Sequence, residues 1–176
     1  MSQKLHFEFK FIVFNKLDAT LLAKEFPINV KTGNEMYSNV LDNYEDADIV
    51  IMAAAVSDYK PKEFSQKKIK KDNKEINIKF EKTTDILMEL GKNKKNQILV
   101  GFALENNDEL SNAKNKLKKK NLDLIVLNSL NDDGAGFGYD TNKVTVICKS
   151  GIKTPYKLKE KTGVANDIFK HIIELI

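Results

Sequence analysis

The amino-acid sequence predicts a three-layer α/β fold of Rossmann-like layering, with a mostly parallel sheet and an antiparallel C-terminal hairpin. Three apolar runs of strand length, at residues 48–56, 98–103 and 122–127, alternate with segments of helical spacing. This alternation is typical of a parallel sheet covered by helices on both faces. A length of 176 residues suits one sizeable core, so a single domain over residues 1–176 is expected.

The N-terminal part of the chain predicts two strands and two helices. Residues 7–14 alternate between polar and apolar side chains and then turn apolar, which indicates a strand. Apolar residues at helical spacing predict a helix over 18–26, and residues 28–30 are a short strand candidate. A capping-box pattern that starts at Thr32 predicts a helix ending near residue 44.

The middle of the chain combines a long polar segment with a strand and a helix. Residues 57–75 are rich in lysine and too long for a simple turn, so we expect this connection to be functional or mobile. Residues 76–80 alternate, which predicts a half-exposed strand. The segment 83–85 is expected to cap a helix that Gly91 stops.

The C-terminal part predicts a lysine-rich helix, a glycine-rich loop, a hairpin and a final helix. The helix runs from residue 107 to about 120, and the loop spans 128–142. Residues 144–148 and 154–158 form the predicted hairpin. The last helix is predicted near 163–175 from its apolar spacing.

The composition indicates a soluble protein of the cytoplasm. Hydrophobic residues make up 41% and charged residues 31% of the chain, and no apolar run approaches the ~20 residues that span a bilayer. The N-terminus lacks a continuous apolar signal region. Cys148 is the lone cysteine, which excludes an internal disulfide. His6 and His171 are isolated, so no metal site built from protein ligands is expected.

Lysines cluster at residues 67–71 and 114–120, although 29 basic against 25 acidic residues give a net charge of only +4. Such clusters bind the phosphates of a nucleic acid or of a small polyphosphate. Aromatic residues that would stack on bases are not interleaved with them. The pattern favours a small phosphorylated ligand, with a nucleic-acid-binding domain as the alternative.

Polar side chains follow the buried strands of the predicted sheet. Asp58 comes soon after the first strand, Glu105 after the second and Asn128 after the third. The carboxyl ends of parallel strands meet at one edge, where α/β proteins bind ligands. The alanines of residues 53–55 would let a ligand approach the backbone closely. This edge is therefore the predicted binding site.

In order and spacing, the motifs of this edge resemble phosphopantothenoylcysteine synthetase, the C-terminal half of the bifunctional bacterial flavoprotein of coenzyme A synthesis. The resemblance covers about residues 30–176. The matching motifs are Ala53–Pro61, Lys68–Lys71, Thr84–Leu87, Val100–Glu105, Ala113–Lys120, Asp123–Asn128 and Gly136–Asn142.

The resemblance implies a two-step ligation that uses CTP and Mg²⁺. The carboxylate of 4′-phosphopantothenate attacks the α-phosphate of CTP, which releases pyrophosphate and leaves an acyl-cytidylate. The amine of cysteine then attacks this anhydride and expels CMP. Relatives use either CTP or ATP, and the bacterial-type motifs favour CTP. The resemblance also implies a homodimer, and it leaves open whether a separate flavoprotein decarboxylase is a partner. The composition predicts neither a nucleic-acid nor a membrane partner.

The resemblance assigns a role to each matching residue. Lys68 would be the catalytic lysine of a flap, Phe102 would pack on the cytosine, and Asn128 would bind the substrate. The purely structural alternatives are that Lys68 is a solvated surface lysine, that Phe102 packs in the core and that Asn128 caps a turn. The remaining predicted nucleotide-binding residues are Met52, Ala53, Ala54, Asp58, Thr84, Asp85, Ile86, Leu87, Lys116 and Lys120.

The N-terminal region departs from the family pattern. Members have a glycine-rich loop after the first strand and then an Asn-x-Ser-Ser-Gly segment that serves the acyl-cytidylate. Residues 1–30 contain neither. The chain is accordingly expected to be a fragment, one product of a split gene or a degenerate homologue. The second half-reaction is in question, and a non-catalytic nucleotide-binding or dimerisation module is the alternative function.

Overall fold

The structure is a computed structural model, and it describes residues 11–14, 28–63, 75–129, 135 and 138–176. The elements in chain order are β1 (Phe11–Phe14), α1 (Gly33–Tyr44), β2 (Ile49–Met52), β3 (Tyr59–Pro61), β4 (Phe80–Lys82), α2 (Ile86–Lys92), β5 (Ile98–Glu105), α3 (Glu109–Lys119), β6 (Leu124–Ser129), β7 (Thr141–Asn142), β8 (Val144–Cys148), β9 (Lys153–Pro155), β10 (Lys159–Glu160) and α4 (Lys161–Ile173).

The main sheet has six strands in the order β1-β2-β5-β6-β8-β9. Its centre, β2, β5 and β6, is parallel. The C-terminal strands β8 and β9 form an antiparallel hairpin on β6, and β1 pairs antiparallel with β2 on the other side. The predicted α/β fold class, with its parallel centre and terminal hairpin, is confirmed.

Helices cover both faces of the sheet. Val50, Leu99 and Ile125 pack on the face that α1, α2 and α3 cover. Val100 and Val126 pack on the opposite face against α4. Alternate residues of each central strand therefore enter different clusters, which is why these strands are apolar throughout their length.

Two helix starts match the sequence prediction. The Thr32 side chain accepts a hydrogen bond from the N–H of Glu35 (3.1 Å), and α1 extends to Tyr44. The Asp85 side chain accepts a hydrogen bond from the N–H of Met88 (3.0 Å) and caps α2. Each cap satisfies an amide that has no partner within its helix.

The prediction that Gly91 stops α2 is wrong, because α2 continues through Lys92. A Cβ at Gly91 would lie 1.9 Å from the carbonyl oxygen of Lys120. The glycine is needed for a close approach between the end of α2 and the end of α3, and it does not act as a breaker.

Other differences concern the short strands. Residues 28–30 have no regular structure. Only the last residue of the predicted strand 76–80 is in β4, which pairs antiparallel with β3. The alternation of residues 76–79 belongs to exposed chain outside any strand. The predicted helix 18–26 lies outside the described residues.

The C-terminal elements also differ in their limits. The second hairpin strand was expected at 154–158 and is β9, Lys153–Pro155. The final helix begins at Lys161, two residues earlier than predicted, directly after the short pair of β7 and β10. Among the described residues, no helix is long and apolar enough to cross a bilayer.

Candidate active site

A cavity of about 610 Å³ lies at the carboxyl ends of β2, β5 and β6. It is bounded on one side by α2 and α3, the α2–α3 side, and on the other by β7 and α4, the α4 side. The residues that line it are Met52–Val56, Asp58, Thr83–Leu87, Phe102–Leu104, Lys116, Lys120, Asn128, Asn142, Lys161, Val164, Ala165 and Ile168.

The loop after β2 places Asp58 beside the start of α2. The N–H of Thr83 donates to the Asp58 carbonyl (2.9 Å), and the Thr83 hydroxyl donates to the Ser57 carbonyl (2.5 Å). Residues separated by about 25 positions are thereby held together at the cavity edge. The Asp58 carboxylate itself has no partner among the described residues and lines the cavity.

Asp85 combines two interactions at the start of α2. Its carboxylate caps the helix and also pairs with Lys120, whose Nζ lies 2.9 Å from Oδ2. The pair joins α2 to the end of α3. The Met88 N–H is occupied by this cap, so it is not a free donor for a ligand.

Lys116 on α3 and Lys120, the C-cap of that helix, are four residues apart. Both line the cavity, in agreement with the shared helix face that their spacing predicts. Lys116 pairs with Glu105 at the end of β5, with Nζ 2.5 Å from Oε1. Each lysine therefore already has a carboxylate partner within the protein. Glu105, which was predicted at this edge without a role of its own, holds Lys116 beside the cavity.

Phe102 and Asn128 lie on the face of the sheet that α4 covers. Phe102 is half-buried, packs against the core on this face and lines the cavity. The Asn128 Oδ1 atom is buried, and no hydrogen-bond partner for it lies in the described part of the chain. An unpaired buried acceptor costs free energy. The described residues provide no donor for this oxygen, so it remains able to accept a hydrogen bond.

On the α4 side of the cavity, the sequence prediction reached Asn142 only as the end of the matching motif Gly136–Asn142, and it missed the residues of α4. Asn142, Lys161, Val164, Ala165 and Ile168 form this side. The last four have the spacing i, i+3, i+4 and i+7 of one helix face. That spacing was visible in the sequence, but the position of the helix at the carboxyl edge depends on the tertiary fold.

The predicted site residues of the described chain come together in this one cavity. Lys68 lies outside the described residues, as do its neighbours in the lysine cluster 67–71. The described ranges contain no group of three or more His, Cys, Asp or Glu side chains that could hold a metal ion. The roles assigned to the residues remain predictions.

A family model described as the DNA/pantothenate metabolism flavoprotein C-terminal domain matches residues 15–176. The chain belongs to this family. The predicted resemblance to the C-terminal half of the coenzyme A flavoprotein is confirmed.

Curated relatives of the flavoprotein C-terminal domain family are longer than this chain. A coenzyme A biosynthesis bifunctional protein CoaBC from Bacillus subtilis is 45% identical over 148 residues, which are 84% of this chain and 36% of that protein. A cysteine/cysteine sulfinic acid decarboxylase from an unknown prokaryotic organism is 51% identical over 150 residues, 85% of this chain and 42% of that protein. The chain thus spans about two-fifths of the length of these relatives.

A crystal structure of the C-terminal domain of a CoaBC protein has the same fold. The two chains superpose with a TM-score of 0.68 at 33% sequence identity. The match covers 84% of this chain and 64% of the other.

Proposed function

We propose that the chain is a ligase domain of coenzyme A biosynthesis, which joins 4′-phosphopantothenate and cysteine with CTP as the activating nucleotide. One observation supports it above the others: the predicted nucleotide-binding and substrate-binding residues of the described chain line a single cavity. Its volume of about 610 Å³ is within the range of small-molecule sites.

The first step of this reaction needs positive charge where pyrophosphate departs. Lys116 and Lys120 line the cavity on α3, and their carboxylate partners hold them in place. Lysines that are positioned before the reaction stabilise developing negative charge without having to reorganise. Lys68 is proposed to add a further cation from the segment between β3 and β4.

Mg²⁺ is proposed to enter with the triphosphate, because this ion usually binds through substrate phosphates and one or two carboxylates. The Asp58 carboxylate suits this role, since Asp85 is already engaged by Lys120. Bound to the triphosphate, Mg²⁺ would neutralise charge on the leaving pyrophosphate.

A homodimer is proposed as the assembly. Four large apolar side chains of β3, β4 and the chain just before β4 are more than half exposed: Tyr59, Ile76, Ile78 and Phe80. A cluster of large exposed apolar side chains is typical of a protein interface. We propose that a second copy of this chain covers these side chains. Sedimentation equilibrium would measure the stoichiometry of the assembly. A mass of one chain would contradict the assignment.

Mass spectrometry of the protein mixed with CTP, Mg²⁺, 4′-phosphopantothenate and cysteine tests the ligase function. We expect pyrophosphate release that depends on 4′-phosphopantothenate. Accumulation of the acyl-cytidylate would indicate a working first step that requires a partner chain for the second. Thermal stabilisation by CTP without any turnover would instead identify a nucleotide-binding module, and no response to CTP would contradict both.

A further inference from the structure

The first two turns of α4 close the cavity on the side away from α2 and α3. Val164 and Ile168 are buried in the core and anchor the helix. Lys161, on the same helix face, is exposed and lines the cavity. The core thus fixes the helix that presents this lysine.

Lys161 differs from the other lysines of the cavity in its electrostatic environment. Lys116 and Lys120 pair with Glu105 and Asp85. Within the described part of the chain, no carboxylate lies within ion-pair distance of Lys161. Lys161 therefore has no carboxylate neighbour that competes with an anionic ligand, whereas each of the other two lysines has one.

Asn142 supplies a second donor beside Lys161. The pairing of β7 with β10 sets Asn142 opposite Lys159, and the N–H of Lys161 donates to the Asp140 carbonyl (3.0 Å). Asn142 is only 8% exposed, and its Oδ1 accepts the N–H of Lys143 (2.9 Å). This bond turns the amide NH₂ away from Lys143, and no acceptor for it is found among the described residues.

Fold stability does not explain a lysine at this position. Lys161 occupies the first turn of α4, and a cation there opposes the helix dipole. No acidic residue in that turn compensates it, and Glu160 makes no side-chain cap among the described residues. A residue that is unfavourable for its helix and lines a cavity is typical of a binding role.

We propose that Lys161 and Asn142 form a phosphate-binding subsite on the α4 side of the cavity. The phosphate belongs to the ligand that fills the cavity, and the unpaired Asn128 Oδ1 accepts an N–H or O–H of the same ligand. The inference rests on the proposed function, in which both the nucleotide and the acid substrate carry phosphate.

Isothermal titration calorimetry with CTP, 4′-phosphopantothenate and inorganic pyrophosphate tests the subsite. Lys161→Gln should raise the Kd of at least one of these ligands tenfold or more, and the ligand affected identifies the phosphate. Lys161→Arg keeps the charge and should stay within threefold of the wild type. Lys157→Gln, the matched control, removes an exposed lysine outside the cavity and should stay within twofold.

The melting temperature separates binding from folding. Lys161→Gln should melt at the wild-type temperature or higher, because it removes a cation from the positive end of a helix. Values of Kd within twofold of wild type for all three ligands would overturn the subsite. An equal loss in Lys157→Gln would overturn it too, because the effect would then be one of net charge.

These titrations, combined with the mass-spectrometric assay of CTP cleavage, distinguish the two proposals. Loss of phosphate affinity in Lys161→Gln, combined with no CTP cleavage by the wild type, would leave the subsite standing and remove the ligase. CTP cleavage by the wild type with unchanged affinities in Lys161→Gln would do the reverse. A wild-type chain that bound none of the three ligands would overturn both.

Discussion

At the amino ends of β2, β5 and β6 the polar side chains bond to other side chains or to the backbone, whereas at the carboxyl ends several polar side chains face a cavity. Lys94 pairs with Asp123, which also accepts the N–H of Leu99 (2.8 Å). Gln97 donates to the carbonyl of Tyr44 (3.2 Å), whose hydroxyl donates to the Leu90 carbonyl (2.9 Å).

The carboxyl ends are built differently. Asp58, Asn128 and Lys161 have polar atoms without protein partners in the described residues. The same three strands thus end in a bonded network on one side and in unused hydrogen-bonding capacity on the other. Substitutions at the first end should mainly change stability, and substitutions at the second should mainly change binding.

The largest expected effect is at the amino ends. Asp123→Ala should lower the free energy of unfolding by about 3–5 kcal/mol, because it leaves Lys94, whose side chain is 9% exposed, without its carboxylate partner. Urea denaturation measures this loss. Glu45→Ala, which breaks the exposed pair of Glu45 with Lys95, is the control and should change stability by less than about 1 kcal/mol. Equal effects would contradict the comparison.

Lys68→Gln should abolish CMP release, a loss of at least about 100-fold, while the fold stays intact. The reason is the loss of the proposed cation that stabilises the departing pyrophosphate. Chromatographic assay of CMP, together with the circular dichroism spectrum, measures both. Lys67→Gln is the neighbouring control. Unchanged turnover in Lys68→Gln would remove the flap-lysine assignment.

Asp58→Asn should weaken CTP binding by about tenfold, or ~1.4 kcal/mol, with little change in stability. The carboxylate is proposed to contact the nucleotide and its Mg²⁺, and an amide would be a poorer ligand for the ion. Calorimetric titration provides the Kd. Asp42→Asn changes an exposed carboxylate on α1 outside the cavity and should leave CTP binding unaltered. An unaltered Kd in Asp58→Asn would count against the role.

The smallest effect concerns pH at the amino ends. Burial, followed by the charge of Asp123, raises the pKa of Tyr44 from 10.0 to about 12. The folded state therefore favours the protonated phenol, and this stabilisation is present below pH 10 and is lost as the pH rises toward 12. At pH 11 the loss should be about 1 kcal/mol relative to Tyr44→Phe. Identical pH dependence of unfolding in both proteins would contradict it.

The sequence predicted the α2–α3 side of the cavity because its signals are local. Small residues and an acid after an apolar run mark a strand end, and Lys116 and Lys120 share a helix face by spacing alone. The helix cap at Asp85 is equally local. These features need no knowledge of distant contacts.

The α4 side could not be predicted in the same way. Its residues come from β7 and from α4, which packs on the face of the sheet opposite to α2 and α3. Their position therefore depends on the antiparallel pairing of the C-terminal hairpin with β6. Gly91 shows the same limit. Its sequence context is typical of a helix end, yet its role is set by the Lys120 carbonyl some 30 residues away.

The bonds from Thr83 to Ser57 and Asp58, with the pairing of β3 and β4, bring together the two ends of the segment that contains the lysine cluster 67–71. Both ends of the segment are thus fixed at the edge of the cavity by these bonds. Doubling the length of such an excursion costs only about 0.6 kcal/mol in closure entropy. The segment can therefore be exchanged between relatives, so that sequences of different length and charge can be compared on one scaffold.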